Sequence, residues 1–224
     1  MFERLLQKLK ELAWGREAVD PARFDDPVAQ QTDWGPLKPG GANFCTQKLV
    51  RVDPDRLEFH AAWGAVLVGL FFLLVGLAAL AFFVAGTLFG WTAASSGDKS
   101  VLWIPALFGS LFSAAGGGML YGFTLPVVFD RRRGYFWKGR RAPSQLLGRG
   151  AAERVTDLAR IHALQLIAEL CHGSKGSSYY SYELNLVLED GSRVNVVDHG
   201  NLERLRQDAQ ALAEFLGRPL WDAA

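Results

Sequence analysis

The chain has 224 residues, with 24 lysines and arginines against 23 aspartates and glutamates, so its formal net charge is +1. Half of the residues are hydrophobic, and they are concentrated in two stretches. Residues 61–97 and 101–129 contain no Asp, Glu, Lys, Arg or His. Two such stretches exclude a disordered chain, a disulfide scaffold and an ordinary soluble protein.

The segment before the first apolar stretch divides into three predicted parts. Residues 1–14 are predicted to form an amphipathic helix, because their apolar side chains recur at helical spacing. Charges interrupt this helix throughout, so it does not look like a secretory signal. Residues 15–42 contain four prolines and are predicted to be an irregular linker. Residues 43–60 are predicted to hold the first strands of a cytoplasmic β domain.

The two apolar stretches predict a pair of transmembrane helices over residues 61–90 and 102–129, joined by a short external loop over 91–101. A bilayer core of about 30 Å needs roughly 20 helical residues, and each stretch is long enough. The loop contains one basic residue, Lys99, whereas nine basic residues flank the outer ends of the pair. The positive-inside rule therefore predicts that both termini are cytoplasmic.

Small residues recur every four positions on the second predicted span, where they form a candidate helix-packing face: Ser110, Ala114, Gly118 and Gly122. Such a ladder lets helix backbones approach closely in lipid. The simpler interpretation is packing between the two spans, and the alternative is self-association or docking on another membrane subunit. Neither span contains an ionisable residue, so a transporter is a poor candidate and a channel would require an oligomer.

Residues 130–224 are predicted to complete the β domain. Asp190-Gly191 is a strong hairpin signal between strands at 178–189 and 193–197. Residues 159–170 suit either a helix or a strand, and a strand is favoured because a hairpin follows. A helix is predicted at 201–216, with Asn201 as its cap and Gly217 after its end.

Seven strands followed by a helix are the arrangement of a pleckstrin-homology-like barrel or sandwich. Together with the transmembrane hairpin, this arrangement predicts an α+β membrane protein. The runs SYELNLVLEDGSRVNVVDHG and LxxxAxxLAEFLGRPLWD resemble uncharacterised bacterial two-span proteins with such a cytoplasmic domain. The plan is also similar to the photosystem I assembly factor of chloroplasts and cyanobacteria. In that family the domain usually follows its spans, whereas here the membrane hairpin is expected to split it. The resemblance implies the inner membrane of a bacterium.

Catalytic and metal sites are not assembled by any motif in the sequence. Cys45 and Cys171 are not spaced for zinc or redox chemistry, and Cys171 is followed directly by a histidine, which a strand would point to the opposite face. Asp198-His199 is more simply a turn than a catalytic pair. No phosphate-binding glycine motif occurs outside the apolar stretches, and the net charge does not favour nucleic acid. We therefore expect no cofactor, no metal and no nucleic-acid partner.

One basic cluster follows the second span and is a candidate site for anionic lipid headgroups: Arg131, Arg132, Arg133, Lys138, Arg140 and Arg141. The simpler interpretation is a topology signal, and the alternative is headgroup binding, since each basic residue near an anionic surface adds about 1 kcal/mol. The expected function is that of a non-catalytic scaffold, assembly factor or accessory subunit that binds membrane lipids or a protein partner. An oligomeric channel is the alternative, and a membrane enzyme is the least favoured hypothesis.

Overall fold

A computed structural model describes residues 19–90, 103–143, 155–172 and 177–224 of the chain. The chain divides into two compact units, of which one comprises Met1–His60 and Pro126–Ala224 and the other Ala61–Leu125. The predicted helix at 1–14 and the predicted external loop at 91–101 lie outside the described residues. We describe each unit by itself and call the first the β unit and the second the helical unit.

The described elements follow one another in a mixed α+β order. They are a 3-10 helix at Pro21–Phe24, α1 at Pro27–Gln31, β1 at Gln47–Asp53, β2 at Arg56–Ala61, α2 at Trp63–Leu88, α3 at Trp103–Phe123, β3 at Val127–Asp130, β4 at Tyr135–Lys138, β5 at Val155–Asp157, a 3-10 turn at Leu158–Arg160, β6 at Ile161–His172, β7 at Ser178–Leu188, β8 at Arg193–His199, α4 at Leu202–Leu216 and β9 at Leu220–Ala223.

Sheet A of the β unit joins strands from both sides of the helical unit in the sequence. Its order is β1-β2-β3-β4-β5, and β2 pairs with β3 in antiparallel register, so that Phe59 lies opposite Val127. Only one residue separates β2 from α2, and three residues separate α3 from β3. Sheet A is therefore continuous in space although about 65 residues interrupt it in the chain.

Sheet B has the order β8-β7-β6-β9, in which β9 runs parallel to β6 and the other neighbours are antiparallel. Gly191 adopts a φ of +76° in the turn between β7 and β8, as the Asp-Gly signal predicts. Residues 161–172 form a strand, so the preferred interpretation of the ambiguous segment is confirmed. Helix α4 begins after Asn201, whose side chain accepts a hydrogen bond from Arg204 N, and ends at Gly217 with a φ of +63°.

The hydrophobic core of the β unit contains side chains from both sheets and from α4. Phe59, Phe129 and Phe136 of sheet A, Leu164 and Leu184 of sheet B, and Leu205 and Leu212 of α4 are among its buried members. The described strands number nine and form two sheets, and they do not close into the seven-stranded barrel that the sequence suggests. The additional strands are the short edge strands, which carry too few residues to show a period of their own.

The predicted linker at 15–42 contains two short helices, so its interpretation as entirely irregular is wrong. Asp20 and Asp26 each precede a proline, and each carboxylate accepts a hydrogen bond from the main-chain N–H two residues further on. An Asp cap followed by proline at the first helical position is a helix-start signal. This signal is present in the sequence at both places.

The helical unit is a pair of helices, α2 and α3, of 26 and 21 residues, which are long and apolar enough to cross a membrane. The helices pack through four buried glycines: Gly69 and Gly76 of α2, and Gly109 and Gly116 of α3. A Cβ placed on Gly116 would lie 2.7 Å from Leu73 Cα, so the two backbones approach too closely for any larger residue.

The second apolar stretch is shared between two elements, because α3 ends at Phe123 and Val127–Asp130 is strand β3. The predicted span at 102–129 is therefore too long at its end. Val127, Val128 and Phe129 are buried in the β unit. A strand that is buried on both faces has the same uninterrupted apolar composition as the end of a span, so hydropathy alone does not separate them.

Candidate functional site

The predicted basic cluster does not form one surface of the β unit, because the β3–β4 hairpin separates its members. Arg131, Arg132 and Arg133 lie in the turn of this hairpin, whereas Arg140 and Arg141 follow β4 at the opposite end of sheet A. Gly139 N donates to Pro126 O over 2.8 Å, which places Arg140 and Arg141 beside the start of β3. Four strand residues, roughly 13 Å at 3.3 Å each, separate the two groups.

The turn arginines have partners within the protein. Arg132 Nε lies 2.7 Å from Asp55 Oδ2, and Arg133 Nη1 lies 3.0 Å from Asp130 Oδ2. The guanidinium of Arg131 lies over the ring of Phe215 at 4.2 Å from its centroid, in a cation–π contact. These partners reduce the positive charge that the turn offers to an external anion. Arg140 and Arg141 are exposed.

Lys138 is directed into the β unit and takes no part in an exposed basic surface. Its Nζ donates to Asn195 Oδ1 over 2.9 Å. Burial, and then the charge of Lys38, lower the pKa of Lys138 to about 8, while Asp198 and Glu183 oppose this shift. From β4 of sheet A, the Lys138 side chain therefore reaches a group of polar side chains on sheet B.

The predicted small-residue ladder of the second span lies on the exposed side of α3. Ser110, Ala114, Gly118 and Gly122 are all exposed, and a Cβ on Gly118 or Gly122 would meet no atom within 4 Å. The face that packs against α2 carries Gly109 and Gly116 instead. The interpretation of this ladder as the contact between the two helices is thus incorrect, and its alternative, association with another molecule, stays a prediction.

The most unusual feature of the β unit is a buried polar face on sheet B, which no motif in the sequence predicts. One face of this sheet contributes to the core, and we call the opposite one the outer face. Its side chains include Gln165 at 0% exposure, Glu183 at 2% and Asn185 at 0%. Further polar members of this face are Glu169, Tyr179, Ser181, Arg193, Asn195 and Asp198. These polar residues alternate with core residues in the sequence, and that alternation is the only sequence signal of the face. By itself, such alternation is typical of a strand face that is exposed to solvent.

The outer face is covered by the segment before β1. Near β9, an aromatic cluster forms the first contact, in which Phe24, Trp34 and Trp221 have ring centroids within 5.9 Å of one another. His162 Nε2 lies 2.7 Å from Asp26 Oδ2 beside this cluster. Beyond it, residues 33–46, which we call the strap, cross the polar part of the face.

Two carboxylates of the outer face bind the main chain of the strap. Glu183 accepts hydrogen bonds from Leu37 N at 3.0 Å and from Lys38 N at 3.2 Å. Glu169 accepts from Gly40 N at 2.9 Å. Charge-assisted bonds of this kind satisfy buried carboxylates that would otherwise be costly to desolvate.

Three donors of the outer face bind carbonyl groups of the same strap. Gln165 Nε2 donates to Asp33 O over 3.0 Å, and Arg193 Nη1 donates to Gly35 O over 2.7 Å. The Tyr179 hydroxyl donates to Gly41 O over 3.0 Å. Six main-chain groups between residues 33 and 41 are thus bound by side chains from β6, β7 and β8.

Asp198 is a partly buried acid that lies opposite Glu183 on this face. Burial, and then the charge of Glu183, raise its pKa to about 6, while Asn195 Nδ2, which donates to Asp198 Oδ1 over 2.8 Å, opposes the shift. Its main-chain carbonyl accepts a hydrogen bond from the Thr46 hydroxyl at the end of the strap.

His199 follows Asp198 in β8 but lies on the core side of the sheet. Both residues lie at the end of strand β8, so the prediction of a turn is wrong. Their side chains point to opposite faces of the sheet, as neighbours in a strand do, so they do not form a catalytic pair. His199 Nδ1 accepts a hydrogen bond from Asn201 N, and burial lowers the pKa of His199 to about 4. The imidazole is therefore neutral at pH 7.

The two cysteines remain ordinary thiols. Burial raises the pKa of both Cys45 and Cys171, which disfavours the reactive thiolate. Among the residues that the structure describes, no three His, Cys, Asp or Glu side chains are grouped to hold a metal ion. Neither the protein-family models nor the curated proteins contain a match to this chain.

Proposed function

We propose that this chain is a non-catalytic membrane-anchored binding protein, a scaffold, assembly factor or accessory subunit. In this proposal α2 and α3 anchor it in the inner membrane of a bacterium, with both termini in the cytoplasm. The β unit, in the role of a pleckstrin-like domain, binds a protein partner or anionic lipid headgroups.

The observation that carries the proposal is the exposed apolar surface of the helical unit. Only 11% of the most apolar 18-residue stretch of each helix is buried within the protein. Phe71, Leu74 and Leu107 are each more than 60% exposed. Soluble proteins rarely expose a continuous apolar surface of this extent, and a lipid bilayer would cover it.

The division of the basic residues refines the lipid-binding part of the proposal. Arg140 and Arg141 lie at the end of sheet A where β2 leaves for α2 and where β3 begins after α3. If these helices span the membrane, the chain enters and leaves the bilayer within a few residues of this end of sheet A. The turn arginines lie at the other end of sheet A, so Arg140 and Arg141 are the stronger candidates for headgroup binding.

The proposal is tested by gentle detergent extraction of the full chain tagged after Ala224, followed by mass spectrometry of co-purifying proteins and lipids. A stoichiometric membrane protein, or retained anionic lipid, is the expected result. A monodisperse monomer that carries neither would contradict the proposal. Recovery in the soluble fraction without detergent would contradict the membrane anchor itself.

An oligomeric channel is the second candidate, and one observation favours it. The ladder of Ser110, Ala114, Gly118 and Gly122 faces away from α2 and is exposed, so it could meet the same face of further copies. Conductance across planar bilayers should then appear with the wild-type chain and disappear with Gly118→Leu. A silent bilayer with well-incorporated protein would dismiss the channel.

A further inference from the structure

The middle of the strap, residues 35–41, is bound through its main chain. Between residues 33 and 41, the outer face of sheet B binds three N–H groups through Glu183 and Glu169, and three carbonyls through Gln165, Arg193 and Tyr179. Two side-chain contacts accompany them at the start of the strap: an ion pair between Arg193 Nη2 and Asp33 Oδ2 at 3.4 Å, and packing of the Trp34 ring against Trp221 with centroids 5.9 Å apart. A face that binds main-chain groups tolerates many side chains in the segment that it holds.

The side chains of the strap point largely away from this face. Leu37 is 40% exposed, and Lys38 and Pro39 are exposed. The strict requirements concern two glycines. Gly40 has a φ of +89°, and a Cβ on Gly41 would lie 2.9 Å from Ser181 Cβ and overlap Ser181 Oγ. The bound segment therefore needs a chain that bends before two glycines.

Charge adds a preference to this geometry. The carboxylates of Glu183, Glu169 and Asp198 lie on the face together with the cations of Lys138 and Arg193, and Lys38 of the strap adds a positive charge that acts on Asp198. Without the strap, the face has three acids against two bases. A segment with a basic residue before the glycines thus complements it.

We propose that the outer face of sheet B is a peptide-binding surface, which the strap occupies in cis. A segment of a partner protein with the same bent conformation, with a Pro-Gly-Gly sequence and a basic residue just before it, takes the place of the strap when the partner binds. This inference rests on the proposed function in its protein-binding form, and it assigns the surface and the chemistry of the partner.

Occupation in cis makes the surface selective. A tethered segment acts at an effective concentration of the order of millimolar, so a free peptide of equal affinity competes poorly. A partner that is confined to the same membrane reaches a comparable local concentration. The strap would thus exclude dilute soluble peptides and yield to a co-localised partner.

The experiment displaces the strap in the full-length chain in detergent micelles. Gly41→Val should expel the strap through its clash with Ser181, and a labelled peptide of residues 33–43, DWGPLKPGGAN, should then bind at least tenfold more tightly than it binds to the wild type. Gly35→Ala is the matched control, because a Cβ there meets only the carboxylate of Asp33, at 3.5 and 3.9 Å, which is ordinary van der Waals contact. This variant should bind the peptide no better than the wild type does.

Two further measurements test specificity. A peptide with Val at the position of Gly41 should not bind, and adding Glu183→Gln to Gly41→Val should weaken peptide binding by roughly tenfold, the loss of about 1.4 kcal/mol of charge-assisted hydrogen bonding. An expelled strap with no gain in peptide binding overturns the inference, and so does binding that Glu183→Gln leaves unchanged.

If Gly41→Val does not fold, hydrogen exchange on the wild type decides the question. Millimolar peptide should accelerate exchange at the amides of Leu37, Lys38 and Gly40 while β6 and β7 stay protected, and unchanged exchange overturns the inference. Co-purification of a partner alongside failed peptide binding would refute this surface alone. Absence of any partner or lipid would instead refute the proposed function.

Discussion

Glu183 and Asp198 lie directly opposite each other on β7 and β8, so two carboxylates are cross-strand neighbours on the outer face of sheet B. Like charges in this arrangement destabilise a sheet. The strap amides of Leu37 and Lys38 satisfy Glu183, and Asn195 donates to Asp198. Burial, and then the charge of Glu183, nonetheless raise the pKa of Asp198 to about 6.

Asp198→Asn should therefore stabilise the β unit at neutral pH. The folded state binds a proton at Asp198 more tightly than the unfolded state does, because its pKa is about 6 instead of 3.8. The free-energy cost of holding Asp198 ionised in the folded state is complete above about pH 7 and disappears as the pH falls towards 4. We expect the variant to gain roughly 1–3 kcal/mol in unfolding free energy at pH 7.5 and nothing at pH 4, measured by denaturant titration in micelles. A gain that does not vary with pH would refute this explanation.

His199 should have the opposite pH dependence. Its pKa of about 4 in the folded protein lies below the ordinary value of 6.5, so the unfolded state takes up the proton first as the pH falls. Stability is lost between pH 6.5 and 4. His199→Asn keeps an acceptor for Asn201 N and should lack this loss, although it removes buried volume. Denaturant titrations at pH 7 and pH 4.5 test the prediction, and parallel losses in both proteins would contradict it.

The glycines of α3 should differ sharply in their tolerance of a methyl group. Gly116→Ala forces a Cβ against the backbone of Leu73, whereas Gly118→Ala meets no atom within 4 Å. We expect Gly116→Ala to cost about 1–3 kcal/mol and Gly118→Ala to be neutral or slightly stabilising through helix propensity. Thermal unfolding in the same detergent compares the two variants. Equal effects would mean that the two helices pack through another face.

Arg140 and Arg141 should determine retention of anionic lipid. Replacing both by alanine should reduce the phosphatidylglycerol bound to the purified protein about tenfold or more, since each basic residue near an anionic surface contributes about 1 kcal/mol. The double variant Arg132→Ala, Arg133→Ala removes the same charge at the other end of sheet A and should retain the lipid. Native mass spectrometry counts the bound lipids. Equal losses in the two double variants would show a response to net charge alone.

Features with a local signal could be predicted from the sequence. Helix α4 has a complete apolar stripe between an Asn cap and a Gly end, and the β7–β8 turn is set by Asp190-Gly191. The two long apolar helices follow from composition alone. In each case the residues that form the element also carry the physical reason for it.

Features that depend on distant partners were missed. Strand β9 has four residues and is a strand because it pairs with β6 and because Trp221 packs against Phe24 and Trp34. The polar outer face is buried only because the strap covers it. The basic cluster was expected to form one surface, but its members lie at opposite ends of the β3–β4 hairpin, because neighbours in sequence are separated when a hairpin turns between them. Tertiary pairing of this kind leaves no periodic pattern along the chain.

The continuity of sheet A across the helical unit sets an order for biosynthesis. Strand β2 cannot find β3 until the ribosome has made both long helices and at least residue 130, so the centre of this sheet forms only after α2 and α3 have emerged. The buried edge of β2, with Leu57 and Phe59, stays unpaired in the meantime. A chain that is truncated before residue 130 therefore cannot complete sheet A, because β2 then lacks the strand that pairs with it.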